Sequence, residues 1–308
     1  MNSYWKKKGL LISPQKNIWW QKSHIMLPTV EKLTGDLHRV YFSGRDEKNV
    51  SVIGTIDIEV KSGVIIIKSS NNEPILTSGK LGTFDDNGVT PSCIINYLEK
   101  KYLYYIGWNS GSTTRMGLIA GLAISNDNGL TFKRNSNSPL LERTNDEPYS
   151  ILTAPFVIKD ENIWRLYYVS CEGWINRDLP IYNIKYAESH DGINWKRDGH
   201  ICIDFKSVNE TALARPCVLK EDGIYKMWFS YKDPRIGYRI GYAESVDGKN
   251  WDRQDDNSNC LDVSENGWDS EMVEYSFVFN HEGIKYMLYN GNGYGIEGAG
   301  YAIFEKLN

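Results

Sequence analysis

Proline recurs along this chain with a nearly constant stride. Pro28, Pro91, Pro155 and Pro216 stand 63, 64 and 61 residues apart, and a further step of 60 falls on Ser276 in the same local pattern. Each of these residues opens an apolar run, followed by a turn and an aromatic strand. Pro91-Ser-Cys-Ile-Ile precedes Tyr102-Leu-Tyr-Tyr-Ile, and Pro155-Phe-Val-Ile precedes Trp164-Arg-Leu-Tyr-Tyr-Val. Pro216-Cys-Val-Leu precedes Tyr225-Lys-Met-Trp-Phe-Ser, and Ser276-Phe-Val-Phe precedes Tyr286-Met-Leu-Tyr-Asn. A fixed period means an array of equal supersecondary units. Units of this size fit four-stranded propeller blades with long loops, a little longer than the ~40–50 residues of common blades. Five units account for all 308 residues, so one domain spanning 1–308 is expected.

A third strand follows in the middle units: Gly117-Leu-Ile-Ala-Gly-Leu-Ala-Ile, Asn183-Ile-Lys-Tyr-Ala-Glu and Arg239-Ile-Gly-Tyr-Ala-Glu. Each leads into a tight turn, Ser125-Asn-Asp-Asn-Gly, Ser189-His-Asp-Gly or Ser245-Val-Asp-Gly. Asn-Gly and Asp-Gly signal hairpins because the turn needs positive φ. The last unit ends on its third strand, Tyr301-Ala-Ile-Phe-Glu, with no fourth. Tyr4-Trp-Lys-Lys-Lys-Gly-Leu-Leu-Ile resembles a fourth strand, so the N-terminal strand is predicted to complete the last blade. Closure of that kind protects edges that would otherwise template pairing. The first unit is the least regular: its third strand, 51–60, leads directly into a second Val/Ile strand.

The aromatic content is 13%, with 20 Tyr and 10 Trp, which suits β structure. Net charge is −4 and no basic stripe appears, which argues against a nucleic-acid partner. No apolar run approaches the ~20 residues that span a membrane, and no signal peptide is evident. Five cysteines, an odd number without metal spacing, point to a reduced, cytoplasmic protein. His24, His38, His190, His200 and His281 are scattered without ligand spacing, so no metal and no cofactor is expected. The run Asn290-Gly-Asn-Gly-Tyr-Gly has no following helix and is not a dinucleotide fingerprint.

Because successive strands alternate in direction, the start of the first strand, the end of the second and the loop after it share one face. Functional groups gather on such loops. The residues there are His24, Arg45, Asp46, Asp86, Trp108, Asn109, Glu172, Trp174, Arg215, Asp233, Glu274, Tyr275, Asn290 and Asn292. Aromatic faces stack on the C–H surfaces of sugars, while Asn, Asp and Arg bind hydroxyls.

The repeat resembles the five-bladed propeller glycoside hydrolases, the arabinanase/levansucrase/invertase superfamily (families 43, 32, 68 and relatives such as 130). In its invertase-like members a Glu lies two residues before the first-strand Pro. Glu274-Tyr275-Ser276 matches that spacing, with Ser for Pro and in the last blade rather than the third. Ala214-Arg215-Pro216 carries Arg where those members place Asp, and His24-Ile-Met-Leu-Pro28 lacks their first-blade acid. The resemblance implies a glycosidase-type enzyme with paired carboxylates. Candidates for the acid and its partner are Glu172, Glu274, Asp233 and Asp86. Arg45, Asp46, Trp108, Asn109, Trp174, Arg215, Tyr275, Asn290, Asn292 and His24 are expected to contact a small carbohydrate. Two alternatives stay open. One is a glycosyltransferase or phosphorylase acting on an activated sugar, with Arg215, Arg45, Lys232 and Arg235 serving phosphate. The other is a noncatalytic propeller that binds sugar or protein.

Overall fold

A computed structural model describes residues 3–255 and 257–306. It is all-β, and its strands fall into antiparallel groups that follow the proline stride. Strand β1 (Ser3–Ile12) comes first. Next come β2 (Ser23–Thr34), β3 (Leu37–Arg45), β4 (Ser51–Lys61) and β5 (Val64–Ser70), paired in that order. The second group is β6 (Val89–Tyr97), β7 (Lys100–Ser110), β8 (Met116–Ser125) and β9 (Lys133–Arg134). The third is β10 (Ile151–Asp160), β11 (Ile163–Asn176), β12 (Leu179–Ser189) and β13 (Lys196–Ile203). The fourth is β14 (Ala212–Glu221), β15 (Ile224–Asp233), β16 (Gly237–Ser245) and β17 (Asp252–Arg253). Then come β18 (Glu274–His281), β19 (Ile284–Asn290), a kinked turn α1 (Asn292–Gly295) and β20 (Ala299–Lys306).

Strand β1 pairs antiparallel with β20, with Trp5 opposite Phe304. The N-terminal segment thus supplies the fourth strand of the last group. Short parallel bridges, Ile151 with Leu118 and Tyr182 with Ala212, join the middle three groups into one sheet. The leading strands touch in sequence, β2 against β6, β6 against β10, β10 against β14 and β14 against β18. Strand β18 returns to touch β2. The interior is aromatic: Trp20, Trp164 and Trp228 are fully buried, as are Tyr104, Tyr167 and Tyr286. None of the five cysteines forms a disulfide among the described residues.

The polar turns at the far ends of the third strands are built alike. Ser189 Oγ accepts from the Asp191 and Gly192 amides, while Asp191 Oδ1 accepts from the Ile193 and Asn194 amides. Gly192 adopts φ 74, and a Cβ there would meet the Trp164 ring at 2.9 Å, so both conformation and space require glycine.

The proline stride marks a repeated backbone irregularity. Register shifts interrupt β2–β3, β10–β11, β14–β15 and β18–β19 at their starts. At each, the residue before the repeat position lies in the left-handed region: Leu27 (φ 52), Ala154 (φ 46), Arg215 (φ 52) and Tyr275 (φ 55). Such bulges bend a strand and re-aim a side chain, and left-handed non-glycine residues mark stored strain. Ser276 keeps the geometry without proline, while at Pro91 the register shift falls after the proline and Thr90 is not left-handed, so the imino ring is neither required nor sufficient for it.

Candidate functional site

All four left-handed residues face the same place. Leu27, Ala154, Arg215 and Tyr275 line a cavity of about 200 Å³, together with the ends of β3, β7 and β15 and the starts of β8 and β12. The bulges are therefore the devices that point side chains from four sequence repeats into one hollow.

The wall of this cavity is cationic. Arg45, Arg115, Arg215 and Lys232 line it, and among the described residues Asp178 is the single carboxylate in the lining. Arg215 is 1% exposed. Its guanidinium donates to the Pro91 and Pro28 carbonyls at 3.0 and 3.1 Å and to the Thr29 hydroxyl at 2.9 Å. All three partners are neutral, and its Nε is buried without any. Burial lowers the Arg215 pKa to about 10, which still leaves the group charged at neutral pH. Burial also lowers the pKa of Arg45, and the Arg115 charge adds to the effect. Lys232 donates to the Tyr294 hydroxyl at 3.3 Å. Among the described residues, no salt bridge joins any of these four cations to a carboxylate. A buried charge normally has a counter-charge. Arg215 is such a buried charge without a counter-charge, and Arg45, Lys232 and the exposed Arg115 add three further cations to the same wall.

Behind this wall lies Glu274, fully buried, with neither carboxyl oxygen hydrogen-bonded. Among the described residues it is the only carboxylate in that state. Burial drives its pKa well above the usual carboxylate range, opposed only by the Lys232 charge. Burial therefore favours its neutral, protonated form over the carboxylate. Its charge, were it ionised, would raise the pKa values of Tyr182, Tyr238 and Tyr275, which places it against these three wall residues. The Tyr182 and Tyr238 hydroxyls share a hydrogen bond of 2.8 Å.

The other expected acids lie outside the lining. Glu172 is paired with Lys185 at 2.8 Å, its side chain 40% exposed. Asp233 is locked to Arg235 at 2.5 Å, and this bond holds its pKa down to about 2. Asp86 accepts from the Gly82 amide and from Asn109 Nδ2, both at 2.8 Å, so Asp86 and Asn109 fix one loop between them. Asp46 accepts from the Lys48 and Val50 amides, closing the β3–β4 turn. Each acid met a nearer donor in its own loop or strand pair, which the loop composition did not disclose.

Among the expected binding residues, Arg45, Trp108, Arg215 and Tyr275 line the cavity. Asn290 is a structural tie: it donates to the Ile25 and Gly298 carbonyls and accepts from the Leu27 amide, linking the last group to the first. Asn292 accepts from the Glu271 and Met272 amides. Trp174 packs against the core. His24 lies beside Ser23 at 2.9 Å, its pKa lowered to about 4, first by burial and then by the Arg45 charge. Arg115 and Asp178, which sequence reading missed, sit at the mouths of loops with no repeat signal.

No protein-family model matches the chain. Two Mycobacterium tuberculosis proteins do: "Uncharacterized protein MT1551" of strain CDC 1551 / Oshkosh and "Uncharacterized protein Rv1502" of strain ATCC 25618 / H37Rv. Each is 39% identical over 303 residues, 98% of this chain and 99% of the relative. The chain belongs to the family of these mycobacterial proteins. Among solved structures it resembles one described as "Glycoside hydrolase", with a TM-score of 0.73 and 19% identity over 98% of this chain and 92% of the other. A thermostable family-43 glycoside hydrolase matches with a TM-score of 0.66 and 20% identity over 92% and 88%. A third structure is described by the words "The GH130 family of mannoside phosphorylases contains glycoside hydrolases that target beta-1,2 mannosidic linkages in Candida mannan". It matches with a TM-score of 0.71 and 13% identity over 98% and 94%. At these identities the likeness establishes the fold, that of the propeller-type glycoside hydrolases.

Proposed function

We propose that the protein is a single closed five-bladed propeller and a carbohydrate-active enzyme of glycosidase type, working at the anomeric carbon of a sugar with phosphate as a reaction partner. The cyclic contacts of the leading strands and the β1–β20 pairing support the ring. The observation that carries the function is the pairing of an unneutralised cationic cavity with one neutral carboxylic acid behind it.

Glycoside hydrolysis by two carboxylates needs a base or nucleophile as well as an acid. Here Glu274 is the acid, a proton store. The cations suit a nucleophile that arrives with its own charge. A phosphate oxygen attacks the anomeric carbon, the glycosidic C–O bond breaks, and the departing oxygen takes up a proton from a wall tyrosine hydroxyl, which Glu274 behind the wall replaces with its own. In reverse, a glycosyl phosphate gives up its phosphate, and the Glu274 carboxylate receives the proton of the acceptor hydroxyl through the same tyrosine. Arg guanidinium groups match phosphate geometry, and four cations offset the charge of a dianion. Tyr182, Tyr238, Tyr275 and Trp108 supply the aromatic surface a pyranose ring needs. One structural relative comes from a family of mannoside phosphorylases that contains glycoside hydrolases, so both chemistries occur on this architecture.

The test is a panel of glycosides and nucleotide sugars with and without inorganic phosphate, using wild type and Glu274→Gln. We expect phosphate-dependent turnover in one direction or the other, with loss on the order of 100-fold or more in the variant, the scale of general acid catalysis. Equal turnover without phosphate makes the protein a hydrolase with Asp178 as second carboxylate. Ligand binding without any turnover makes it a noncatalytic sugar receptor.

A further inference from the structure

At the other end of the same strands, two turns bring imidazoles and carboxylates together. Asp36 lies in the β2–β3 turn, and His281 and Glu282 lie at the β18–β19 turn. His281 Nε2 stands 3.2 Å from Asp36 Oδ1. One ligand atom from each of Asp36, His281 and Glu282 lies within 4.8 Å of the others. Zinc holds nitrogen and oxygen ligands at about 2.0–2.2 Å in a tetrahedron, so two ligand atoms on such an ion are about 3.4 Å apart. That is near the separation already present between His281 and Asp36.

His38 supplies an independent observation. It is 1% exposed, and its Nδ1 is 3.1 Å from the Asp36 carbonyl oxygen. A ring nitrogen facing a carbonyl carries the hydrogen, so Nε2 bears the lone pair. That Nε2 is buried with no partner. Metal-bound histidines characteristically give their second ring N–H to a backbone carbonyl or carboxylate, which fixes the tautomer. The His38 ring stands edge-on to that of His281, centroids 4.9 Å apart, and His281 Nδ1 is also buried without a partner. The His281 Nε2 that faces Asp36, the unused Nε2 of His38 and two carboxylates form a donor set for a borderline cation, and these O and N atoms suit zinc better than calcium or magnesium.

We propose that Asp36, His281 and Glu282, with His38 beside them, bind a divalent transition-metal ion of the zinc class that clamps the first strand group to the last. The ion sits away from the cationic cavity and takes no part in its chemistry. It stabilises the junction at which the chain's two ends meet, opposite the Asn290 tie.

The test uses untagged full-length protein stripped by a chelator and titrated with zinc sulfate by calorimetry, with Tm followed in parallel. Cobalt(II) serves as a spectroscopic probe of coordination number. One equivalent of zinc should bind, Tm should rise, and cobalt should give the intense visible bands of a four-coordinate site. Asp36→Asn and Glu282→Gln, at partly exposed and exposed positions that tolerate change, should each weaken zinc roughly tenfold or more. His190→Ala, on the surface, should leave affinity unchanged. Absence of saturable binding, or equal affinity in wild type, Asp36→Asn and Glu282→Gln, overturns the proposal.

Discussion

The guanidinium of Arg215 donates a hydrogen bond of 2.9 Å to the hydroxyl of Thr29, a residue 186 positions away in the chain. With its bonds to the Pro28 and Pro91 carbonyls, it joins three proline-led strands at one point. Arg215→Met keeps much of the volume but leaves those acceptors unpaired. Each buried polar group left unsatisfied costs about 1–3 kcal/mol, so urea unfolding should show a loss of roughly 2–4 kcal/mol. Thr29→Val removes one acceptor and should cost about 1 kcal/mol. Phosphate affinity should fall at least tenfold in Arg215→Met and little in Thr29→Val.

Glu274→Gln separates catalysis from stability. Burial holds the pKa of the wild-type carboxyl in the folded state well above the 4.5 of the unfolded chain. The folded state therefore binds more protons, and wild-type stability must decline as pH rises above 4.5. Gln lacks this penalty. Denaturation from about pH 4 to about pH 9 should show the variant matching wild type at the acid end and exceeding it progressively above.

The repeated Asp turns give the opposite slope. Hydrogen bonds from Thr131 and Ser125 hold the Asp127 carboxyl down to about 2. At Asp191, burial pushes upward, but bonds from Asn194, Ile193 and Ser189 outweigh it and bring the pKa to about 2. These groups are fully stabilising above their unfolded value of 3.8, and that contribution is lost as pH falls towards 2. Replacing both by Asn should lower Tm at neutral pH and flatten its decline between about pH 4 and about pH 2.

The fourth strand of the last group should be indispensable. Trp5 is buried, donates from Nε1 to the Asn259 carbonyl at 2.7 Å and meets Trp228 edge-on at 6.3 Å. Lys7 pairs with the buried Asp269 at 2.8 Å. Trp5→Ala should cost about 3–5 kcal/mol, measured by chemical denaturation. Deleting residues 1–12 bares the edge of β20, and light scattering should then detect association.

Much of this architecture was legible because repetition is a sequence property. The stride of Pro28, Pro91, Pro155, Pro216 and Ser276 marks the leading strands, and Ser189-His-Asp-Gly and its equivalents mark the far turns. The likeness of Tyr4-Trp-Lys to a fourth strand anticipated the β1–β20 pairing. The stride also carried more than strand order, since at four of its five positions the residue before it lines the cavity. Partner choice was not legible. Glu172 and Lys185 meet only through the β11–β12 register, and Asp233 finds its partner two residues along. Neutrality was hidden too. Nothing in the string distinguishes Glu274, without a hydrogen bond, from Asp86, with two. His38 and His281 lie 243 residues apart, so no ligand spacing could reveal their proximity.

The protonation state of Glu274 tests the account most directly. Infrared difference spectra of wild type minus Glu274→Gln at neutral pH isolate this one side chain. A protonated carboxyl C=O band that persists well above neutrality, and that shifts when inorganic phosphate is added, is the expected result. Symmetric and antisymmetric carboxylate bands at neutral pH, unaffected by phosphate, would contradict both the acid and the cavity it is proposed to serve.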